Sequence, residues 1–159
     1  MIGEPAKRIS ERALTVWKIR GVITSIISLL ITIFIIVLIH LFDWPKWISI
    51  VLSLLWIVES YFVIFFNPKL RWKIWRYEVR EQEIEIQHGL WVITKTLIPM
   101  IRVQHVDHTQ GPLLKKYHLA TVQISTAATV HEIPALDEIE AEELRKVISK
   151  LARVADEDV

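Results

Sequence analysis

The residue whose type and position most suggest chemistry is Glu59, a carboxylate within a long apolar stretch. No other charged side chain occurs between residues 47 and 66. An ionisable group inside a membrane is costly, so such a residue marks a functional site by default. Small polar side chains let membrane helices approach closely and hydrogen-bond across an interface, and several follow helical spacing here. The predicted intramembrane helix interface comprises Glu59, Ser25, Ser28, Thr32, Ser53 and Ser60.

Three interpretations of Glu59 are open from the sequence. The side chain packs between two helices, either protonated or hydrogen-bonded to Ser or Thr; it contacts the helix of a partner; or it is a proton or cation site in transport. Two helices alone cannot enclose a pathway, so transport would require an oligomer. If the apolar stretches fold back at residues 43–46, Glu59 lies level with Leu30 and within one helical turn of Ser28 and Thr32.

Other reactive side chains form no comparable cluster. His105 and Asp107 would share one face of a strand while His108 points to the other, so they make no compact ligand set. The chain has no cysteine, only four glycines and no G-x-S-x-G motif, which argues against thiol chemistry, a phosphate-binding loop and a serine nucleophile elbow. We predict no enzymatic activity, no metal site and no cofactor. A formal net charge of +1 gives no indication of nucleic-acid binding.

Two apolar stretches, residues 21–42 and 47–66, must position Glu59. A helix needs about 20 apolar residues to cross a bilayer, so each stretch is long enough to span it. The residues between them suit a tight turn, and residues 21–66 are therefore predicted to form a transmembrane hairpin. A cleaved signal sequence fits poorly, because its apolar region has about 7–15 residues and ends at small residues.

Basic residues flank the hairpin on the side of both chain ends. Five Lys or Arg residues lie in the N-terminal segment 1–20, five lie between residues 67 and 80, and the turn has only Lys46. Cytoplasmic loops carry the excess of Lys and Arg, so both termini are predicted to be cytoplasmic.

The juxtamembrane linker, residues 67–76, mixes basic and aromatic side chains. Its charges orient the hairpin, and they can also contact lipid headgroups at about 1 kcal/mol per Lys or Arg near an anionic surface. The two roles are compatible. The residues predicted to contact headgroups are Lys69, Arg71, Trp72, Lys73, Trp75 and Arg76.

Beyond the linker the hydrophobic period changes from that of a helix to that of a strand. Strands are predicted over residues 75–80, 83–87, 90–100, 101–106, 120–126 and 129–133. The segment 113–119 is either a short helix or a connection. These elements give a domain of residues 75–155 with six or seven short strands.

A C-terminal helix closes this domain. Asp137 and Glu140 have the spacing of a capping box, and an acidic tail, residues 156–159, ends the chain. The predicted apolar stripe of the helix is Leu144, Val147, Ile148 and Leu151.

Three ordered pieces, IPMIRVQHV (98–106), QGPL (110–113) and LATVQISTA (119–127), resemble the signature of the YdbS-like family of bacterial PH-domain (pleckstrin-homology-like) membrane proteins. The spans belong to the same pattern, so the resemblance covers nearly the whole chain. One departure is His118, where the family pattern has glycine; if φ is positive there, His costs more than Gly. The signature residues are Pro99, Arg102, Gln104, Gln110, Gly111, Pro112 and Thr126.

The resemblance implies an α+β membrane protein. An N-terminal two-helix transmembrane hairpin precedes a cytoplasmic PH-like small β-barrel or sandwich, which a C-terminal amphipathic helix closes. It also implies a bacterial inner-membrane location, contact with membrane lipids, and a larger multi-span PH-domain protein as partner, with or without self-association. The expected role is non-enzymatic, in envelope maintenance or tolerance of membrane-active antimicrobial peptides. The alternative is a subunit of a membrane transport or export complex that uses Glu59 at a helix interface.

Overall fold

The computed structural model of the chain describes residues 5–157, with side chains described as far as Ala155. These residues form two compact units. One unit combines residues up to Val16 with the chain from Arg71 onward, and the other is Trp17–Leu70. The predicted acidic tail lies partly outside the described residues, and of it only backbone as far as Glu157 is described.

Two long helical stretches correspond to the predicted hairpin. The first is helix α1, Arg12–Leu41. The second comprises α2 (Trp47–Tyr61), a π-helical turn (Phe62–Phe66) and α3 (Asn67–Ile74). Both stretches are long and apolar enough to cross a membrane. The helices extend beyond the apolar stretches, so most of the predicted linker is helical.

The chain reverses between the helices through a residue with left-handed backbone. Asp43 has a φ of 52°, and the amide of Trp44 donates to the carbonyl of Ile39 at 2.9 Å. This bond is that of a Schellman-type helix end, and aspartate tolerates the left-handed region better than most residues. The carbonyl of Pro45 already accepts a bond from the amide of Ile48 at 3.1 Å, so helical bonding resumes inside the predicted turn.

The unit that contains the C-terminus is built from short strands. Their bounds are β1 (Lys7–Arg8), β2 (Arg76–Val79), β3 (Glu83–Gly89), β4 (Ile93–Pro99), β5 (Val103–Thr109), β6 (Leu119–Thr126) and β7 (Val130–Asp137). They form two antiparallel sheets with the orders β1-β2-β3-β4 and β5-β6-β7. A 3-10 turn (Met100–Arg102) separates the sheets, α4 (Pro112–Lys116) links β5 to β6, and α5 (Glu138–Glu157) follows β7. The predicted strands and closing helix are therefore present.

Strand β3 is covered on both faces, in contrast to its sequence pattern. The predicted polar face carries Glu85 and Gln87, and both are buried beside the isoleucines of the other face. Glu85 accepts a bond from Arg80 at 3.2 Å, and the Gln87 amide donates to the carbonyl of Ile74 at 3.4 Å. These partners offset the cost of burying Glu85 and the Gln87 amide nitrogen, whereas the buried Oε1 of Gln87 has no hydrogen-bond partner among the described residues.

The C-terminal helix packs on β5, β6 and β7. Ala141 and Ile148 are fully buried and Leu144 is nearly so, whereas Val147 is 48% exposed. The predicted stripe is thus wrong at Val147, because a stripe of period 3.6 that is centred on Leu144 takes in Ala141 instead.

Tyr77 joins the first sheet to α5. Its side chain is fully buried, and its hydroxyl donates to Glu140 Oε1 at 2.7 Å. Burial, with the hydrogen bond to Glu140 and the charge of that carboxylate, raises the pKa of Tyr77 above its usual range. Asp137 in turn accepts a bond from Arg12 at 3.3 Å. Both side chains of the predicted capping box therefore contact other elements.

His118 occupies left-handed backbone, with a φ of 54°, directly after the turn that ends α4. A β-carbon is disfavoured there and glycine is not. We expect His118→Gly to raise the free energy of unfolding by about 0.5–1 kcal/mol, after the greater flexibility of glycine in the unfolded chain is subtracted. Denaturant unfolding of the full chain in detergent measures this gain. His118→Ala keeps the β-carbon and is the control; an equal gain there would contradict the explanation.

Candidate functional site

The hairpin contains a set of polar side chains that meet between α1 and α2, which we call the polar seam. The hydroxyls of Ser25 and Ser60 lie 2.6 Å apart. Ser28 Oγ donates to Glu59 Oε2 at 3.1 Å, and Trp56 Nε1 donates to the carbonyl of Ser25 at 3.2 Å. All three contacts join one helix to the other, so hydrogen bonds hold the seam together where water is excluded.

Close approach of the two helix backbones shapes the seam at one end. A β-carbon on Gly21 would lie 2.8 Å from the carbonyl oxygen of Val63 and 3.2 Å from Cα of Ile64. Glycine is therefore required for this contact. Val63 and Ile64 belong to the π-helical turn, whose extra residue per turn displaces the local backbone.

The structure brings together most, but not all, of the residues predicted for the interface. Thr32 donates to the carbonyl of Ser28 within its own helix at 2.8 Å. Ser53 is exposed and donates to the carbonyl of Ser49 at 2.8 Å, so it lies outside the seam. Glu59 faces Ser28 and not the exposed Leu30. The level predicted for Glu59 is thus displaced by two residues along α1, from Leu30 to Ser28.

Trp56 is the seam residue that the sequence interpretation missed. It lies between Ser53 and Ser60 at spacings of three and four, so it shares the helical stripe of the serines. The stripe was predicted from small polar side chains, and a large indole does not fit that criterion. Its single N–H donor nevertheless needs a partner when half-buried, and the carbonyl of Ser25 supplies one.

Glu59 combines a seam contact with access from outside. The residue is half-buried, and among the described residues only Oε2 of its carboxyl group has a hydrogen-bond partner. Around it, the large apolar side chains of α1 and α2 are mostly exposed, including Leu30, Leu55 and Val58 at 63%, 60% and 66%. The hairpin therefore presents an apolar surface that includes a half-buried carboxyl group, one oxygen of which has no hydrogen-bond partner among the described residues.

The basic and aromatic residues after the hairpin fall into two groups. The first group, Lys69 and Lys73, is exposed. The second group contacts the rest of the protein, and in it Trp72 is half-buried with the guanidinium of Arg8 5.7 Å from its ring centroid. Trp75 is buried, at 5% exposure, so the prediction that it contacts headgroups is wrong. The residue directly precedes β2, and its side chain packs into the core beside the first sheet.

His88 lies against Trp75, with ring centroids 5.5 Å apart. Burial, with repulsion from Arg71 and His131, lowers the pKa of His88. The lowered pKa favours the neutral imidazole, so His88 contributes little positive charge to this end of the sheet.

The signature residues mostly occupy turns. Gln110 donates to the carbonyl of Leu119 at 3.0 Å, and Gly111 and Pro112 begin α4. Thr126 accepts a bond from the amide of Thr129 at 3.1 Å. These contacts close the connections on either side of β6.

The remaining signature residues lie near the edge strand β5. Pro99 precedes the 3-10 turn that contains Arg102. The pairing of β5 with β6 shifts between Val103 and His105, so Gln104 is the bulged residue, and both Arg102 and Gln104 are exposed. Bulges are common at sheet edges, where they redirect side chains.

Histidines and acids elsewhere do not converge on a metal site. Within residues 5–157, no group of three His, Cys, Asp or Glu side chains is placed to hold a metal ion. His108 Nδ1 lies 3.6 Å from Glu142, and Glu142 also pairs with Arg145 at 2.8 Å. Hydrogen bonding to Arg145 lowers the pKa of Glu142 to about 2, so these contacts form a surface charge network on α5.

Comparison with protein families matches residues 15–152 to the family described as Bacterial PH domain. Since this match covers most of the chain, the protein belongs to that family, as a member whose hairpin precedes the two sheets and the C-terminal helix. The predicted family and α+β fold class are thereby confirmed.

A comparison with curated proteins finds a relative that is described as the UPF0699 transmembrane protein YdbS of Bacillus subtilis (strain 168). The two are 56% identical over 156 residues, which is 98% of each chain. The name and the two helices support a membrane location. No solved structure matches the chain.

Proposed function

We propose that this protein is a non-enzymatic, membrane-anchored PH-like adaptor that assembles with a larger multi-span PH-domain membrane protein. The observation that carries the proposal is the polar seam, in which Ser28 binds Oε2 of the half-buried Glu59 while Oε1 has no hydrogen-bond partner among the described residues. A polar group on an apolar membrane surface is stabilised by a helix that supplies a donor. The proposed partner helix supplies that donor.

The proposed topology places both termini in the cytoplasm of a bacterial cell, with the turn outside the inner membrane. Five Lys or Arg residues before the first span and five after the second, against Lys46 in the turn, support this orientation. The turn then offers very little surface outside the cell, so recognition takes place in the membrane or the cytoplasm.

A second contact surface in the proposed assembly is the groove between β5 and α5. It has a volume of about 860 Å³ and is lined by Ile101, Val103, Gln104, His105, Val106, Asp107, Ser149, Ala152 and Arg153. Strand β5 is an edge strand, and exposed edges with a neighbouring groove accept added strands or helices. A soluble domain of the partner would bind there.

The physiological role that accompanies this assembly is envelope maintenance or tolerance of membrane-active antimicrobial peptides. The family resemblance supports this part of the proposal. The alternative is a subunit of a transport or export complex, and the observation that favours it is the isolated acid Glu59 inside the second apolar stretch.

Substitutions at Glu59 distinguish scaffolding from transport. We expect Glu59→Leu to weaken co-purification with the membrane partner in mild detergent by roughly 3- to 18-fold, because polar contacts between membrane helices contribute about 0.6–1.7 kcal/mol. Glu59→Gln keeps shape and hydrogen bonding, so scaffolding survives it, whereas proton or cation transport does not.

The matched control is Val58→Leu, since Val58 is the exposed neighbour of Glu59. Co-purification should be unchanged in this variant. Equal recovery of the partner with Glu59→Leu and Val58→Leu would remove the assembly role of Glu59. A strictly monomeric chain in membranes that also contain the larger multi-span PH-domain protein would overturn the proposal as a whole.

A further inference from the structure

The turn between β3 and β4 carries a group of large apolar side chains, which we call the apolar tip: the half-buried Leu90 and the exposed Trp91, Val92 and Ile93. Trp91 is 77% exposed and Val92 is 75% exposed. Gly89 makes this turn possible, because its φ is 138° and a β-carbon there would lie 1.9 Å from the carbonyl oxygen of Val92. Contiguous apolar side chains at a tight turn mark a contact surface.

Strand register places the apolar tip at the end of the first sheet where the membrane helices attach. Arg76 pairs with Gln87 in antiparallel register, so β3 continues toward the tip while β2 leads back to α3. On the other side of β2, Arg8 pairs with Arg76, and the chain from Arg8 leads to α1. The tip and both connections to the spans therefore leave the sheet at one end.

The reach of the tip suits the boundary of a bilayer. From Gln87, an extended strand advances about 3.3 Å per residue, so the tip extends roughly 10 Å beyond that pair. From Phe66, the last residue of the second apolar stretch, the chain is helical as far as Ile74, so it covers at most about 19 Å to Arg76, at 1.5 Å per helical residue and 3.3 Å per extended residue. The connection is thus short enough for the tip to reach the headgroups and outer acyl carbons, where amphipathic elements insert by about 5–10 Å.

Charge distribution along the sheet points to the same surface. No acidic residue occurs in residues 67–77 or 86–106, and the first of these segments contains Lys69, Arg71, Lys73 and Arg76. Lys95 pairs with Gln87 and is exposed. The opposite turn of the sheet instead carries Glu78, Glu81 and Glu83 around Arg80. Only the end with the apolar tip is complementary to an anionic lipid surface.

We propose that the apolar tip inserts into the headgroup region of the bilayer that the hairpin spans, with the flanking cations on anionic lipids. Tryptophan suits this depth because its ring is apolar and its N–H can hydrogen-bond. The insertion would give the β-rich unit a third attachment to the membrane besides its two covalent connections. This inference does not depend on assembly with a partner.

A single introduced cysteine tests the insertion, because the chain has none of its own. Val92→Cys is labelled with an environment-sensitive fluorophore, and the full chain is reconstituted into vesicles that contain phosphatidylglycerol. We expect a blue shift of the emission and quenching by lipids that carry a nitroxide near the headgroup. Gln82→Cys, an exposed position at the opposite end of the same sheet, is the control and should show neither effect.

Three outcomes would overturn the proposal. The first is equal quenching at positions 92 and 82. The second is a blue shift at position 92 that increases with the protein-to-lipid ratio while nitroxide lipids cause no quenching. This result would show that a second copy of the chain covers the tip. The third is quenching that is unchanged when phosphatidylglycerol is replaced by phosphatidylcholine, which would contradict the role of the cations.

Discussion

Replacing Gly21 with leucine should separate the two membrane helices and disrupt the polar seam. Even one β-carbon at this position would lie 2.8 Å from the Val63 carbonyl oxygen, and both groups belong to helix backbones that cannot rotate away. Overpacking of this kind costs about 1–3 kcal/mol and occasionally more. Because the seam contacts depend on that spacing, we expect the contacts between Ser25 and Ser60 to be lost together with the backbone contact.

Disulfide trapping measures this separation. The Ser25 and Ser60 hydroxyls are 2.6 Å apart, so the double substitution Ser25→Cys and Ser60→Cys should crosslink readily on mild oxidation in a membrane. Adding Gly21→Leu should slow the crosslinking about tenfold or more, in proportion to the expected loss of stability. Adding Val22→Leu is the control, since Val22 is 41% exposed. Unchanged crosslinking with Gly21→Leu would show that the helices do not need this close contact.

Truncating Tyr77 should cause the largest loss of stability in the β-rich unit. Tyr77→Ala removes a fully buried ring and should lower the free energy of unfolding by about 3–5 kcal/mol, the usual cost of removing a buried aromatic side chain. Tyr77→Phe keeps the ring and loses only the hydrogen bond to Glu140, so a decrease of about 1–2 kcal/mol is expected. Denaturant unfolding of the full chain in detergent, followed by circular dichroism, compares the variants.

The hydrogen-bonded pair of Tyr77 and Glu140 should make the stability of the protein depend on pH in the alkaline range. Burial raises the pKa of Tyr77 in the folded protein, while in the unfolded chain the phenol ionises near pH 10. The folded state therefore keeps its proton after the unfolded state has lost it, and stability falls as pH rises above about 10. Tyr77→Phe should show a smaller fall over that range. Parallel pH profiles for wild type and Tyr77→Phe would contradict the burial of an ionisable hydroxyl at this position.

Features that follow from periodicity could be predicted from the sequence. The two spans require only length and apolar composition, and strands such as β3 show their alternation directly. The contact of Ser28 with Glu59 also followed from helical spacing, although the level expected for Glu59 was displaced. That displacement could not be foreseen, because it depends on Asp43 adopting left-handed backbone and on helical bonding that resumes at Pro45.

Features that depend on tertiary partners could not be predicted. Lys7 and Arg8 carry no apolar alternation, so β1 becomes a strand only because β2 offers a free edge. Glu85 has the sequence position of a solvent-facing residue, and its burial requires Arg80 beside it. The apolar residues from Leu90 to Val92 favour a strand by composition, but the positive φ of Gly89 turns the chain before them.

The pairing of β1 with β2 has a mechanical consequence. The ladder is only two residues long, and the chain leaves both of its strands toward the spans at the same end. A force that parts the two spans would load this ladder by peeling, so that its hydrogen bonds break one after another and not all at once. The two-residue ladder therefore resists such a force only weakly, and the segment before α1 stays attached through the bond from the Ser10 amide to the Ala135 carbonyl and through the buried Ile9.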